Sequence, residues 1–315
     1  YSEPAYFEMG LCSAQDWHAN WIGFPGAWTG QALYFRRDFV LTKPIRRARI
    51  YMAGLGWSEL HVNGQRVNDR VLDPPNSNYS KRILYSTDRV EEFLRPGNNT
   101  IGVICGAGWY GTVRLLLQMN LQFEDGTDTR IVTETFWPEP WLVFPGPLQD
   151  NGIYDGETYD ARLENPDWDS PDIPPPAGLV AACADGPGGR LVAAPLEPIR
   201  VLQTMPATQV SQPKPGIHVF DLGQNIAGWA QLRVQGSRGT RISLRFAETL
   251  HADQTVNQEN LRFARAEDVY ILGGRGEEIW EPRFTYHGFR YIQVEGYPGR
   301  PSPDSIAGRV LRSAV

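Results

Sequence analysis

Short β-type segments separated by tight-turn residues fill residues 33 to 135, and this pattern limits the fold more than any other feature of the sequence. The clearest segment is Glu59–Val62, which alternates polar and apolar residues. Asn63-Gly64 follows, and this pair supplies the two positive-φ positions of a type I′ turn before residues 65–67 return. The sequence therefore predicts a β-hairpin here.

A second hairpin is predicted from the apolar run Leu115–Phe123, the turn Asp125-Gly126 and the β-branched return at 131–133. One short helix is predicted at Asp88–Leu94, where Asp88 can act as the N-cap of about two turns. Hardly any other segment keeps a helical period, so the fold class expected is all-β.

The segment between residues 166 and 215 is rich in proline and holds eleven of the chain's 25 prolines. Proline removes ladder donors, so this stretch is predicted to be a surface connection and not continuous central strand. We therefore expect two β-sandwich (jelly-roll-like) domains in tandem. Residues 1–165 form the first, of a carbohydrate-binding type, and residues 216–315 form a second, smaller sandwich.

Charge and composition exclude several classes of partner. The net charge of -6 argues against a nucleic acid or an anionic membrane, because those surfaces recruit excess Lys and Arg. No apolar run approaches the roughly 18 residues of a membrane helix. The three cysteines have neither disulfide-framework nor zinc-site spacing. Residues 1–4 lack the features of a signal peptide, which leaves the compartment open.

Residues 149–162 form the densest polar segment, with four carboxylates and two tyrosines. Calcium takes oxygen ligands from such loops, so Asp150, Asn151 and Asp155 are predicted metal ligands. Alternatively, the acidic side chains cap backbone amides and pair with Arg162. A third reading makes two of the carboxylates a glycosidase pair. If the loop binds sugar, Asp150, Asn151, Tyr154 and Glu157 are the predicted contacts.

Trp109 and Tyr110 stand between glycines at 106, 108 and 111. Glycine lets the backbone bend and present aromatic rings, and such rings lie flat against sugar faces. A packed sandwich corner explains the same residues. Trp109 and Tyr110 are therefore predicted sugar contacts, with core packing as the alternative.

Taken together, seven segments resemble the bacterial α-L-rhamnosidases of glycoside hydrolase family 78 in order and spacing. Each segment alone is weakly specific, and the series covers most of the chain. The segments are Trp21–Gly23, Leu55–Trp57, Val62–Gly64, Gly106–Tyr110, Gly156–Arg162, Asp221–Asn225 and Phe284–Tyr291.

The resemblance implies a jelly-roll-like module, in some relatives a calcium-dependent binder of terminal L-rhamnose, followed by a concanavalin-like sandwich. It also implies that the inverting chemistry belongs to a later (α/α)₆ barrel of the same polypeptide, so this chain alone is expected to be inactive.

Three functions follow from the sequence. The first is a non-catalytic region that binds an L-rhamnose-containing glycan or glycoside. The second is a scaffold that shapes the catalytic barrel without binding sugar. The third is a stand-alone enzyme that uses Asp155, Glu157 or Asp160.

Overall fold

The computed structural model describes residues 9–26, 30–135 and 139–315, so the first four residues, used above for the signal-peptide argument, lie outside it. The all-β prediction is confirmed, because strands dominate. Among the described residues no helix is long and apolar enough to cross a bilayer. The helices in these ranges are short 3₁₀ turns: Ala14–Asp16, Glu91–Phe93, Ala161–Leu163, Glu259–Leu261 and Pro303–Ser305.

The strands are numbered in chain order. The first ten are β1 (Ile22–Gly23), β2 (Leu33–Leu41), β3 (Ile45–Leu55), β4 (Trp57–Val62), β5 (Gln65–Arg66), β6 (Arg82–Arg89), β7 (Gly97–Gly106), β8 (Arg114–Phe123), β9 (Asp128–Val132) and β10 (Leu142–Pro145). The next seven are β11 (Leu148–Gly152), β12 (Gly156–Asp160), β13 (Leu179–Val180), β14 (Ala182–Cys183), β15 (Arg190–Ala193), β16 (Ile199–Pro206) and β17 (Gln209–Lys214). The last eight are β18 (Ile217–Gln235), β19 (Arg241–Ala247), β20 (Thr249–Leu250), β21 (Val256–Asn257), β22 (Glu267–Ile271), β23 (Glu277–Trp280), β24 (His287–Glu295) and β25 (Ile306–Ser313).

Two facing sheets make the amino-terminal sandwich. One has the strand order β14-β1-β8-β3-β6-β15, with β9 paired to β8, and the other has the order β13-β10-β2-β7-β4-β5. Their inward faces share one apolar core, in which Phe35 and Val103 of one sheet join Ile50 and Leu117 of the other. Burial of these alternating side chains is what holds the sheets together.

Both predicted hairpins are confirmed. Val62 pairs with Gln65 across the first turn, and the turn residues Asn63 and Gly64 have φ of 52° and 78°, as a type I′ turn requires. In the second hairpin, Met119 of β8 pairs with Ile131 of β9.

The helix predicted at Asp88–Leu94 is wrong. Strand β6 continues to Arg89, and only Glu91–Phe93 forms a single 3₁₀ turn. The carboxylate of Asp88 binds Arg70 instead of capping a helix, and Glu91 accepts a hydrogen bond from the backbone N–H of Ala48. Pairing with β3 therefore wins over the local helical signal.

The third sheet has the strand order β11-β12-β22-β19-β24-β18-β25-β16, with β17 and β23 also bonded to β18. Strand β18 runs unbroken over 19 residues and includes the polar segment at 223–225. Its pairing with β24 shifts register between Asp221 and Ile226. Gly223, with φ of 78°, lies in this bulge, so the polar residues distort the strand without ending it.

Strand pairing crosses the domain boundaries predicted from proline content. Strands β11 and β12, from the predicted first domain, join the third sheet, where Thr158 pairs with Val269. The stretch 166–215 contains β16 and β17, which pair with β25 and β18. Prolines at positions 206 and 213 are tolerated because these strands lie at edges of the ladder.

A single apolar cluster crosses the junction of the two sandwiches. Tyr34, Trp57 and Ile104 of the amino-terminal sandwich belong to the same buried cluster as Trp229 and Phe284 of the carboxy-terminal one. The two sandwiches therefore pack through a shared core, and the loops that meet at this junction are held in fixed positions.

Candidate functional site

Three exposed aromatic rings gather where the loop at 106–111 meets the β11–β12 turn. Trp109, Tyr154 and Phe263 are 49%, 47% and 79% exposed. The rings of Trp109 and Tyr154 lie 5.3 Å apart at 89°, and those of Tyr154 and Phe263 lie 6.0 Å apart at 79°. We call these three residues the aromatic patch. Large rings exposed together in one place make this surface a candidate binding site.

Glycines set the position of Trp109. Gly108 has φ of 47°, and a Cβ on it would lie 2.7 Å from the Cα of Gly56. Gly56 itself has φ of 92°, and a Cβ there would lie 2.1 Å from the carbonyl oxygen of Gly106. The two backbones therefore touch without side chains between them, and Trp109 lies on the outer surface.

Tyr154 is held by the strand that follows Phe263. The carbonyl of Tyr154 accepts a hydrogen bond from Ala266 N–H at 3.0 Å, and the carbonyl of Asp155 accepts one from Glu267 N–H at 3.1 Å. A Cβ on Gly156 would meet the carbonyl oxygen of Glu267 at 2.1 Å, so only glycine permits this close approach.

Charged groups border the aromatic patch. The guanidinium of Arg265 lies 3.2 Å from the carboxylate of Asp150 and 3.5 Å from that of Asp155. The side chains of all three residues are at least half exposed. We call these residues the charged edge, and they offer donors and acceptors to a polar ligand.

The predicted calcium ligands do not form a cation cage as they are arranged here. Asp150 and Asp155 both face Arg265, whose charge occupies the place a cation would take. Asn151 is buried, its Oδ1 accepts the N–H of Ala107 at 2.7 Å, and its Nδ2 donates to the carbonyl of Gly30. Within the described ranges no cluster of three His, Cys, Asp or Glu gathers as a metal site. Calcium binding stays a prediction.

Besides the buried Asn151, two more predicted sugar contacts lie away from the aromatic patch. Tyr110 packs edge-on against Tyr79, with ring centroids 5.2 Å apart, on a different side of the loop from the ring pair made by Trp109. Glu157 is 2% exposed, and its two carboxylate oxygens accept the backbone N–H groups of Arg283 and Phe284. Both oxygens of this buried carboxyl group are thus occupied inside the core.

Asp160, the remaining carboxylate of the glycosidase reading, binds Arg162 through two hydrogen bonds of 2.8 and 2.6 Å. It also caps the following 3₁₀ turn by accepting the N–H of Arg162. The alternative to a calcium site is that acidic side chains of this loop pair with Arg162 and cap backbone amides. Asp160 does both.

Sequence reasoning missed Phe263 and Arg265, which complete the aromatic patch and the charged edge. They are more than 100 residues from Trp109 and Asp150, and they lie in an irregular segment between β21 and β22. The available signal was a phenylalanine within a charged run at 259–268. A large ring flanked by arginines at 262 and 265 is a candidate for surface contact.

An apolar groove adjoins the aromatic patch. It has a volume of about 410 Å³, and its lining includes Trp57, Leu72, Trp109, Ile153 and Tyr286. Trp109 thus contacts Tyr154 of the β11–β12 turn, which is followed by Asp155 of the charged edge, and it also lines this apolar groove. We call this space the junction groove.

A buried charge network lies at the junction of the sandwiches. Glu59 of β4 binds Arg283 at 2.6 Å, His61 at 3.0 Å and Arg66 at 3.3 Å. The second ring nitrogen of His61 faces Asp169 at 2.7 Å. Burial disfavours the charged imidazole, but hydrogen bonds to Asp169 and Glu59 outweigh it and raise the pKa of His61.

This network predicts a pH dependence of stability. The pKa of His61 is higher in the folded chain than the usual 6.5. The protonated imidazole therefore contributes its full stabilisation of the fold below pH 6.5, and this stabilisation is lost as the pH rises through the folded pKa. We expect the free energy of unfolding of His61→Gln, measured with urea from pH 6 to 9, to fall less over this range than that of the parent. Exposed His251→Gln is the control, and parallel profiles for parent and His61→Gln would contradict the assignment.

Comparison with known proteins supplies an independent finding. Residues 43–203 match the model of the "Alpha-L-rhamnosidase N-terminal domain", and residues 211–312 match that of the "Bacterial alpha-L-rhamnosidase concanavalin-like domain". An α-L-rhamnosidase of Streptomyces avermitilis is 40% identical over 100% of this chain and 32% of its own length. One of Formosa agariphila is 34% identical over 100% of this chain and 38% of its own. The chain thus spans about a third of these relatives.

Comparison with solved structures also finds α-L-rhamnosidases. An α-L-rhamnosidase from Dictyoglumus thermophilum superposes with a TM-score of 0.93 at 39% identity, covering 98% of this chain and 37% of that one. The Streptomyces avermitilis α-L-rhamnosidase, solved in complex with L-rhamnose, gives 0.86 at 40% identity, covering 90% of this chain and 29% of that one.

Proposed function

This chain belongs to the bacterial α-L-rhamnosidase family through its N-terminal and concanavalin-like domains, and we propose that it is a non-catalytic region that binds terminal L-rhamnose at the aromatic patch. The observation that carries the proposal is the corner formed by Trp109 and Tyr154, two exposed rings at 89° beside the charged edge.

The corner suits a 6-deoxy sugar. A pyranose ring has a C–H face that packs on an aromatic ring, and L-rhamnose also carries an apolar methyl group. With two perpendicular rings, one stacks under the sugar and the other contacts the methyl. Glucose has a hydroxymethyl group in place of the methyl, and burying that hydroxyl against a ring without a partner is unfavourable.

The charged edge supplies polar partners for the sugar hydroxyls. The carboxylates of Asp150 and Asp155 accept hydrogen bonds, and the guanidinium of Arg265 donates them. These groups are about half exposed, so a neutral sugar reaches them with little desolvation. The complex of the Streptomyces avermitilis relative with L-rhamnose supports the choice of sugar.

The proposed partner is a catalytic (α/α)₆ domain of the same polypeptide, in keeping with relatives about three times as long. A bound rhamnosyl end would then be held near that domain, which raises its effective concentration. Calcium at Asp150, Asn151 and Asp155 stays a prediction that no step of this proposal uses, because it would have to displace Arg265 from the two carboxylates and the N–H of Ala107 from Asn151.

The second candidate function is a scaffold for the catalytic domain, and the junction groove favours it. An apolar groove of about 410 Å³ beside Trp109 and Tyr286 offers a seat for another part of the polypeptide. Calorimetric titration with L-rhamnose separates the two functions. Saturable heat with L-rhamnose and none with glucose supports sugar binding, and absence of heat from the folded chain supports the scaffold. A repeat with chelator tests calcium.

Trp109→Ala removes one wall of the corner, and we expect the affinity for L-rhamnose to fall about tenfold, as loss of a stacking contact of about 1.4 kcal/mol predicts. The same titration measures it. Ile279→Ala is the control, because Ile279 is a similarly exposed apolar residue on edge strand β23. Equal affinities of parent and Trp109→Ala would contradict the assignment of the site.

A further inference from the structure

A second pocket lies on the junction, away from the aromatic patch. It has a volume of about 340 Å³, which falls in the range of small-molecule sites, about 300–1,000 Å³. Its walls are mainly aromatic rings and prolines: Tyr34, Phe144, Tyr159, Trp168, Pro147 and Pro166. We call it the Tyr34 pocket.

The aromatic wall is ordered by its own packing. Tyr34 stacks on Phe144 at 6.1 Å and meets Trp168 edge-on at 5.0 Å, and Phe144 meets Trp168 at 6.3 Å. The loop that carries Gly146 passes over Tyr34 so closely that a Cβ there would lie 2.2 Å from the ring. The pocket is therefore preformed and rigid, which lowers the entropic cost of binding.

The hydroxyl of Tyr34 has no hydrogen-bond partner among the described residues. Tyr34 as a whole is only 4% exposed. Its hydroxyl oxygen is nevertheless not closed off by neighbouring atoms, and it reaches the space of the pocket. Burial raises its pKa above the usual range, which keeps the hydroxyl protonated and able to donate. A hydroxyl that opens on a pocket takes its hydrogen-bond partner from whatever fills that pocket, a ligand or water.

Most other polar groups of the wall are already engaged, and among the charged ones Arg283 keeps one buried donor, its Nε, without a partner. His61 faces Asp169 and Glu59, and Arg283 binds Glu59. Glu164 accepts the hydroxyl of Tyr159 at 2.9 Å and binds Arg275 at 2.8 Å. The basic groups are thus balanced by carboxylates, and the pocket has no excess charge to attract an anion.

We propose that the Tyr34 pocket binds a small neutral phenol. A flat aromatic ring fits between rings and prolines, and its single hydroxyl pairs with the hydroxyl of Tyr34. A pyranose carries several hydroxyl groups, and most of them would lack partners against this wall. The ligand class is therefore aromatic and singly hydroxylated, and it differs from the sugar proposed for the aromatic patch.

The test is titration of the full 315-residue chain with phenol, followed by calorimetry, with cyclohexanol and L-rhamnose as comparison ligands. We expect one saturable site for phenol. Tyr34→Phe, which removes a single oxygen atom, should weaken binding about tenfold, as loss of one hydrogen bond predicts.

Two control variants separate this pocket from other sites. Tyr85→Phe removes a hydroxyl that is bonded to Leu11 outside the pocket, and Trp109→Ala alters the aromatic patch, so both should bind phenol like the parent. No saturable binding of phenol by the folded chain would overturn the proposal. So would equal affinity of Tyr34→Phe, or tighter binding of cyclohexanol or L-rhamnose than of phenol at this pocket.

Discussion

Replacing Glu59 by alanine is expected to lower the free energy of unfolding by about 3 kcal/mol, because it leaves the partly buried Arg283 and His61 without their buried carboxylate. Glu59 is 8% exposed and holds Arg283, His61 and Arg66 together. These partners hold the pKa of Glu59 well below its usual range against the opposing effect of burial. The expected cost lies at the low end of the usual range for a broken buried ion pair, since the side chain of Arg283 is 30% exposed.

Urea denaturation at pH 7 measures this effect. Glu277→Ala is the matched control, because Glu277 also binds an arginine, Arg233, at 2.7 Å, but both side chains are about half exposed. Its cost should stay below about 1 kcal/mol, as for surface ion pairs. If both variants lose the same small stability, the charge network does not hold the junction as described.

Replacing Glu157 by alanine should also cost about 3 kcal/mol, since one buried and one partly buried backbone N–H group lose their acceptor and a cavity remains. Those groups belong to Arg283 and Phe284, which are joined to β12 by this carboxylate. Thr158→Ala, on the next residue of the same strand, is the control and should cost about 1 kcal/mol or less.

The effect of Glu157→Ala should depend on pH. Burial and the neighbouring charge of Asp268 raise the pKa of Glu157 to about 8, although hydrogen bonds from Phe284 and Arg283 oppose the rise. Because the pKa is raised, the protonated carboxyl group contributes its full stabilisation of the fold below pH 4.5. This stabilisation is lost as the pH rises to about 8. The difference between parent and Glu157→Ala should therefore be larger at pH 5.5 than at pH 8.5. A difference that grows with pH would contradict this.

Local features of the fold were predictable from the sequence. The Asn63-Gly64 hairpin depends only on residues next to each other, because its register follows from the turn. The expectation that Trp109 is presented by neighbouring glycines likewise rests on a short segment, and the exposed ring at this position agrees with it.

Long-range features were not predictable. Phe263 and Arg265 meet Tyr154 and Asp150 because Ala266 and Glu267 bond to the β11–β12 turn, and no local pattern contains that contact. Glu157 looked like a surface ligand because it lies in an acidic run. Its burial depends on donors at residues 283 and 284, more than 120 positions later.

The central claim is that L-rhamnose binds at Trp109, and the indole N–H signals of the ten tryptophans in a ¹⁵N–¹H spectrum test it most directly. The Trp109 signal is assigned by its loss in Trp109→Phe. On titration with L-rhamnose, the account predicts a saturable shift of this signal, with the signals of buried Trp141 and Trp229 unchanged. A spectrum in which the Trp109 signal stays fixed while the sugar is saturating, or in which only other indoles move, would contradict the account.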